Sequence, residues 1–279
     1  MVILKAFNPI YIIRALLEAG QMMRVHRELL IAMTTREIKD RYAGQALGSS
    51  WVVISPLLLT GVYLMAFGLI FKGRIGADDV GFGYIAYMVI GLAPWLLIAE
   101  AMSKAPTAVS GHANLVKQVV FPCEVLPMRV ALSTMPTLLV MGTTGLVVAL
   151  IGGLVSPITI LLLPVAILFL MVMLIGLVFL LATIGVYVRD LKDLISFFTS
   201  LGLFLHPILY PPASIPDWLD PLFQLSPFSY PIWAFREAIL GDFGPGMFLW
   251  IAFPLLALWI FSIGWNSFKA LNPTFGNVL

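Results

Sequence analysis

The sequence predicts an all-α integral membrane protein with six transmembrane helices, and three observations carry that prediction. Hydrophobic residues make up 61% of the 279-residue chain and charged residues only 11%. The charges are gathered into short islands, so that Trp51 to Phe71, Pro157 to Val188 and Phe243 to Phe268 contain none. These runs are long enough to cross a bilayer, whose hydrocarbon core takes ~20 apolar residues as helix. They also lack the polar–apolar alternation of an outer-membrane barrel strand. Residues 1–279 are read as one membrane domain, with no separate soluble unit. A formal net charge of +2 is too small an excess to signal nucleic-acid binding. The single cysteine, Cys123, excludes a disulfide framework and any cysteine-based metal cluster.

Taken in order, the N-terminal residues do not read as a cleavable signal peptide, because Arg14 and Glu18 interrupt the apolar stretch and no small-residue cleavage site follows. MMRVHRELLIAMTTREIKDRY reads as an amphipathic helix, over about 24–42, with Val25, Leu29 and Met33 on one face. Its natural place is the membrane interface. The six spans are expected at about 51–71, 84–103, 126–150, 157–186, 194–210 and 246–267. Gly152, Gly153 and Pro157 turn the chain between the third and fourth. With the N-terminus in the cytoplasm, 13 of the 16 Lys and Arg residues fall on the inner side, and only Lys72, Arg74 and Arg236 outside. The positive-inside rule therefore sets both termini in the cytoplasm. The two halves share no motif, which argues against an inverted-repeat secondary transporter.

Two segments stand out as functional candidates. Between spans two and three, Asn114 to Phe121 has the length of about two helical turns, stopped by Pro122. A short helix there, lying parallel to the membrane, is suited to docking into a groove on a soluble partner. Between spans five and six, residues 211–240 are apolar but broken by Pro216, Pro221, Pro227 and Pro231. Two short helices dipping back into the outer leaflet fit that composition, since irregular backbone at membrane depth is tolerated where it packs on protein or lines a cavity. Intramembrane charge is scarce: Glu100, with Lys104 at i+4, and His206, ahead of Pro207, are the only candidates for an ion path. The chain contains no GxxxxGK[ST] phosphate loop, no HExxH, no CxxC and no Gly-x-Ser-x-Gly. Asp190/Asp193 and Asp217/Asp220 share an i, i+3 spacing but read as helix-end charges. Transport, if active, must draw its energy from another chain.

REIKDRYAGQALGSSWVVISPLL (36–58), GLAPWLLIAEAMSKAPTAVSGHANLVKQVVFPCEVLP (91–127), LLATIGVYVRDLKDLISFFTSLGLFLHPILYP (180–211) and SPFSYPIWAFREAIL (226–240) together resemble the membrane subunits of type 2 ABC exporters for polysaccharides, of the O-antigen and teichoic-acid kind. The likeness runs from about residue 24 to the end, with four motifs in order. It implies a homodimeric permease around a continuous channel, with two ATP-binding subunits below that hold the ATP and Mg²⁺; this chain itself carries no cofactor. It implies an undecaprenyl-diphosphate-linked glycan as substrate and the cytoplasmic membrane as location. The same likeness implies that 24–42 is an interface helix, that Asn114, Leu115, Val116, Lys117, Phe121 and Pro122 belong to a coupling helix at the ATPase, and that 211–240 forms outer gate helices. The gate set is His206, Pro211, Trp218, Phe223, Phe228, Tyr230 and Trp233. Two positions depart from the family pattern: Cys123, where a basic or polar residue is common, and His206, where a small or hydroxyl residue usually precedes the proline.

A polymer longer than the membrane needs a continuous path that holds sugars weakly, and aromatic faces suit that sliding contact. Tyr63, Phe67, Phe71, Phe197, Phe198, Phe204 and Tyr210 are the expected lining. A lipid diphosphate needs cations at the inner interface, and Arg24, Arg27, Arg36, Lys39 and Arg41 are the expected set. Three rivals make different demands. A small-lipid or drug exporter would use the same fold, a polytopic transferase would need the paired aspartates, and an ion-coupled transporter would need Glu100 or His206.

Overall fold

Local chemistry sets the first helix: Asn8 Oδ1 accepts the Ile10 N–H at 3.0 Å and Pro9 fills the first turn of α1 (Pro9–Val25). The computed structural model describes residues 8–63, 65–66, 82–118, 121–210, 218, 220–241 and 246–279. Every regular element among them is helical. After α1 come α2 (Arg27–Asp40), α3 (Trp51–Tyr63), α4 (Phe82–Lys104), the short α5 (Ala113–Gln118), α6 (Val125–Ser133), α7 (Met135–Ile151) and α8 (Leu163–Tyr187). The chain ends with α9 (Leu191–Leu205), α10 (Asp220–Leu225), α11 (Ser229–Leu240) and α12 (Met247–Val278).

Among the described residues, four stretches are long and apolar enough to cross a membrane: Gly83–Thr107, Val125–Ile151, Thr159–Tyr187 and Met247–Val278. They correspond to the expected second, third, fourth and sixth spans, and the chain is a multi-pass membrane protein. The expected first span is helical through α3, and residues 67–81, with Phe67 and Phe71, lie outside the described residues. The expected fifth span is shorter than 194–210: α9 stops at Leu205 because His206, ahead of Pro207, is driven to an extended conformation (φ −124°, ψ 157°).

Three further boundaries differ from expectation, each for a local reason. The 24–42 helix is broken at His26 (φ −105°, ψ 23°), which makes α1 a separate helix. The third span is two helices, α6 and α7, parted at Thr134 just before Pro136, which has no N–H to give. There the Ser133 and Thr134 hydroxyls donate to the Val130 and Ala131 carbonyls at 2.9 and 2.8 Å. The helix of the sixth span runs past residue 267, since α12 continues through Pro273 to Val278.

The core is built by α8 lying along α12, the most extensive helix pair, with α4 packed on α7 and α11. The α8–α12 approach is backbone to backbone. A Cβ at Gly176 would fall on the backbone of Phe261, and one at Gly264 on the Gly176 carbonyl. Close backbone approach through small residues is how helices gain van der Waals contact in lipid, where the hydrophobic effect does not drive them together. Phe179 rests at 5.0 Å, centroid to centroid, from both Trp265 and Phe268 beside this seam.

Candidate translocation site

A cavity of about 500 Å³ opens between α3, α4 and α9. Its wall is built from small and hydroxyl side chains: Ser55, Ser103, Thr137, Thr199 and Ser200, with Tyr42 and Tyr63. Pro56 and Leu59 of α3, Leu96 and Ala99 of α4, and Leu203 of α9 supply the apolar remainder. Helix α9 is two-faced: Thr199, Ser200 and Leu203 look into the cavity, while Phe197 (64%), Leu201 (41%) and Phe204 (52%) are exposed on other faces. Trp95 closes the wall against α9, where the absence of a side chain at Gly202 admits the indole ring.

One end of the cavity is charged. Glu100 Oε1 accepts from Arg41 Nη1, at the end of α2, and from Lys104 Nζ at 2.9 Å. The Thr137 hydroxyl of α7 donates to Glu100 Oε2. The pairing of Glu100 with Lys104 is the one the i, i+4 spacing predicts. That of Arg41 ties the end of α2 to α4 across 59 residues of sequence.

Beyond Leu205 the backbone leaves the helix at positions 206–210, yet His206, Ile208 and Leu209 are buried. Its carbonyls are met one after another by side chains. Arg236 Nη1 donates to Pro207 O and Nη2 to Ile208 O at 2.7 Å. The Tyr84 hydroxyl donates to Leu209 O at 2.9 Å and the Tyr87 hydroxyl to Tyr210 O at 2.8 Å. Arg236 Nε also donates to Tyr87 O at 3.0 Å, and its guanidinium carbon lies 3.4 Å from the Tyr87 ring centroid. A cation without exposed surface is tolerable because each of its three nitrogens donates to a carbonyl and its plane lies against the Tyr87 ring. Sequence reasoning missed this residue, counting Arg236 only among outer-side basic residues. The available signal was an Arg-Glu pair inside a proline-broken apolar stretch.

The expected gate residues fall into different surroundings. His206 Nδ1 donates to Gly202 O at 2.6 Å, and its ring is packed by Trp95, Phe198 and Phe228 at centroid distances of 4.6, 6.2 and 5.5 Å. Phe223 is buried, Trp218 is exposed, and Tyr230 lies edge-on to Trp233 at 5.7 Å. The Ser156 N–H donates to Ile239 O at 2.9 Å, so the end of α11 meets the loop between α7 and α8, while Phe228, just before α11, meets Trp95 in the middle of α4. Pro211 lies outside the described residues.

Of the expected lining aromatics, Tyr63 borders the cavity; Phe198 packs in the Trp95 cluster, Phe197 and Phe204 do not border it, and Tyr210 is engaged through its carbonyl. Of the expected cations, Arg41 borders it. Arg24, Arg27, Arg36 and Lys39 are exposed, with Arg36 paired to Asp40 at 3.3 Å and Arg27 beside Glu28 at 4.0 Å.

Where a coupling helix was expected the structure has the short helix α5, which starts one residue earlier and ends at Gln118; residues 119–120 lie outside the described ones. Asn114, Leu115 and Lys117 are exposed, Val116 and Pro122 half-buried, and Phe121, outside the helix, packs on the core. Behind it Arg129 joins two elements: Nη1 lies 3.3 Å from Glu37 Oε2 of α2, and Nη2 donates to the His112 ring at 3.1 Å. Burial lowers the His112 pKa below its ordinary value, and the Arg129 charge lowers it further, against the smaller opposing effects of the Ala108 backbone and Glu37.

Known proteins resemble this chain in sequence over most of its length. The O-antigen export system permease protein RfbA of Myxococcus xanthus is 30% identical over 192 residues, which cover 69% of this chain and 72% of that protein. A permease of the same name from Klebsiella pneumoniae is 24% identical over 221 residues, 77% of this chain and 81% of its own length. The family model for ABC-2 type transporters matches residues 28–240, from α2 through α11, and the chain therefore belongs to the ABC-2 type transporter family as a membrane permease.

Proposed function

We propose that this chain is the permease subunit of an ATP-driven exporter that moves an undecaprenyl-diphosphate-linked polysaccharide, of O-antigen type, outward across the cytoplasmic membrane. Two copies form the channel, and two separate ATP-binding subunits supply the work at α5. Both termini lie in the cytoplasm, and α10 and α11 form the outer gate.

The observation that carries the reading is the cavity between α3, α4 and α9. Its hydroxyl side chains offer exchangeable hydrogen bonds, and Tyr63 offers a flat face to sugar rings. Such a surface holds a glycan through many weak contacts, each of which is replaced as the chain advances. The charged end suits a diphosphate. The names of the similar permeases support the same substrate class. An ion-coupled mechanism finds less support: Glu100 is already held by Arg41, Lys104 and Thr137, and His206 by Gly202 O and three aromatic rings.

The test is co-expression with the ATP-binding subunit that the proposal requires. The two are expected to purify together, and the complex is expected to hydrolyse ATP faster when lipid-linked glycan is added. A permease that purifies alone and confers no such stimulation contradicts the reading.

A further inference from the structure

We propose that Arg41 and Lys104 form a diphosphate-binding site at the mouth of the α3–α4–α9 cavity, and that Glu100 is its built-in competitor. The inference rests on the proposed function and assigns a specific site within it. Among the described residues, the charged side chains of the cavity wall are Arg41, Lys104 and Glu100. Both cations converge on one oxygen of one carboxylate, so the cluster carries one positive charge in excess. The Thr137 hydroxyl of α7 occupies the other oxygen, holding the carboxylate against α7.

The exposure pattern matches a site whose cations are reachable while their counter-ion is not. The side chain of Glu100 is 11% exposed, whereas those of Arg41 and Lys104 are 39% and 25% exposed. A diphosphate brings more negative charge and more acceptor oxygens than a carboxylate, and a guanidinium binds phosphate through paired N–H groups. Arriving at the mouth, it would draw Arg41 and Lys104 from Glu100 and leave the carboxylate to Thr137. The first sugar would then lie deeper, against Tyr63 and the hydroxyls of α9. Because Arg41 caps the end of α2, occupancy would also loosen the tie between α2 and α4.

This arrangement makes an unusual prediction of sign. Removing a cation weakens anion binding at any basic patch, but here removing the acid strengthens it. The experiment measures binding of radiolabelled inorganic pyrophosphate to the full chain in nanodiscs of neutral phosphatidylcholine. Arg41→Gln and Lys104→Gln are each expected to weaken binding ~10-fold, as loss of one charge-assisted contact does. Glu100→Gln is expected to tighten it several-fold, with an unchanged melting profile. If Glu100→Gln does not fold, Lys104→Glu replaces it, and complete loss of binding is expected.

Unchanged or weaker binding in Glu100→Gln overturns the proposal, as does indifference to both cation variants. So does equal competition by phosphatidylglycerol headgroups, which would make the site a lipid-headgroup contact. Export assays separate the two levels of the argument. Surface polymer at wild-type levels with Arg41→Gln and Lys104→Gln rejects this site alone. Absence of glycan export by the wild-type permease with its ATP-binding partner rejects the exporter reading itself.

Discussion

The Nη2 atom of Arg236 lies 2.7 Å from the carbonyl oxygen of Ile208, joining the middle of α11 to the backbone just past α9. With Pro207 O also bound by Arg236, and Leu209 and Tyr210 O bound by Tyr84 and Tyr87, the non-helical stretch after α9 is held to α4 and α11 at successive residues. Buried backbone groups have no water to turn to, so their partners must be protein.

Arg236→Met should therefore destabilise the fold strongly. It leaves two buried carbonyls without donors, at about 1–3 kcal/mol for each, and empties the space beside Gly91 that the guanidinium fills. Arg236→Lys keeps the charge but cannot reach both carbonyls, and its melting temperature in detergent should fall between the wild type and Arg236→Met.

Gly176→Leu should separate α8 from α12. The backbones touch at Gly176 and Gly264, so any side chain there must displace a neighbouring main chain. Overpacking costs about 1–3 kcal/mol or more. Thermal unfolding of Gly176→Leu should show a larger loss than Leu168→Ala, a substitution of an exposed residue on the same helix.

The proposed docking of α5 is tested most cleanly at Leu115. Leu115 is 36% exposed, so Leu115→Asp should fold normally while losing ATP-driven export and co-purification with the ATP-binding subunit. Phe121→Asp is a poorer probe, because Phe121 packs on the core and the charge would cost stability as well. Full export by Leu115→Asp would reject the docking surface.

The Arg129–His112 contact should weaken in acid. Arg129 donates to a ring nitrogen of His112, which requires a neutral imidazole. The folded-state pKa of His112 lies below its ordinary value of 6.5, so the unfolded chain takes up the proton first. Stability contributed here is present above pH 6.5 and is lost as pH falls through that value toward the folded pKa. Melting temperatures measured across that window should decline in the wild type and decline less in His112→Gln, with Arg129 and Glu37 retained.

Spans two and four were legible to within a few residues because their apolar runs are long and bounded by charge, as at Lys104 and Arg189. The break at Thr134 was not, because Ser-Thr-Met-Pro differs little in hydropathy from its flanks, and the hydroxyls that make the break tolerable act locally. The helix beyond residue 267 was hidden for the opposite reason: once α12 leaves the apolar run, Lys269 and Pro273 read as an ending. The cavity was legible only in parts. Arg41 and Tyr63 were singled out, but Ser55, Thr137 and Thr199 are ordinary polar residues until α3, α4, α7 and α9 bring them together. Arg236 shows the limit of counting charges by side, since a buried cation and a solvated one count the same.

The most direct test of the account is ATP-dependent transfer of lipid-linked glycan into proteoliposomes holding the permease and its ATP-binding partner, compared between wild type and Thr199→Trp, which fills the cavity from α9. The account predicts transfer that requires ATP in the wild type and is lost in Thr199→Trp, with ATP hydrolysis and complex assembly retained. Transfer that proceeds without ATP, or that continues unimpeded with the cavity filled, would contradict it.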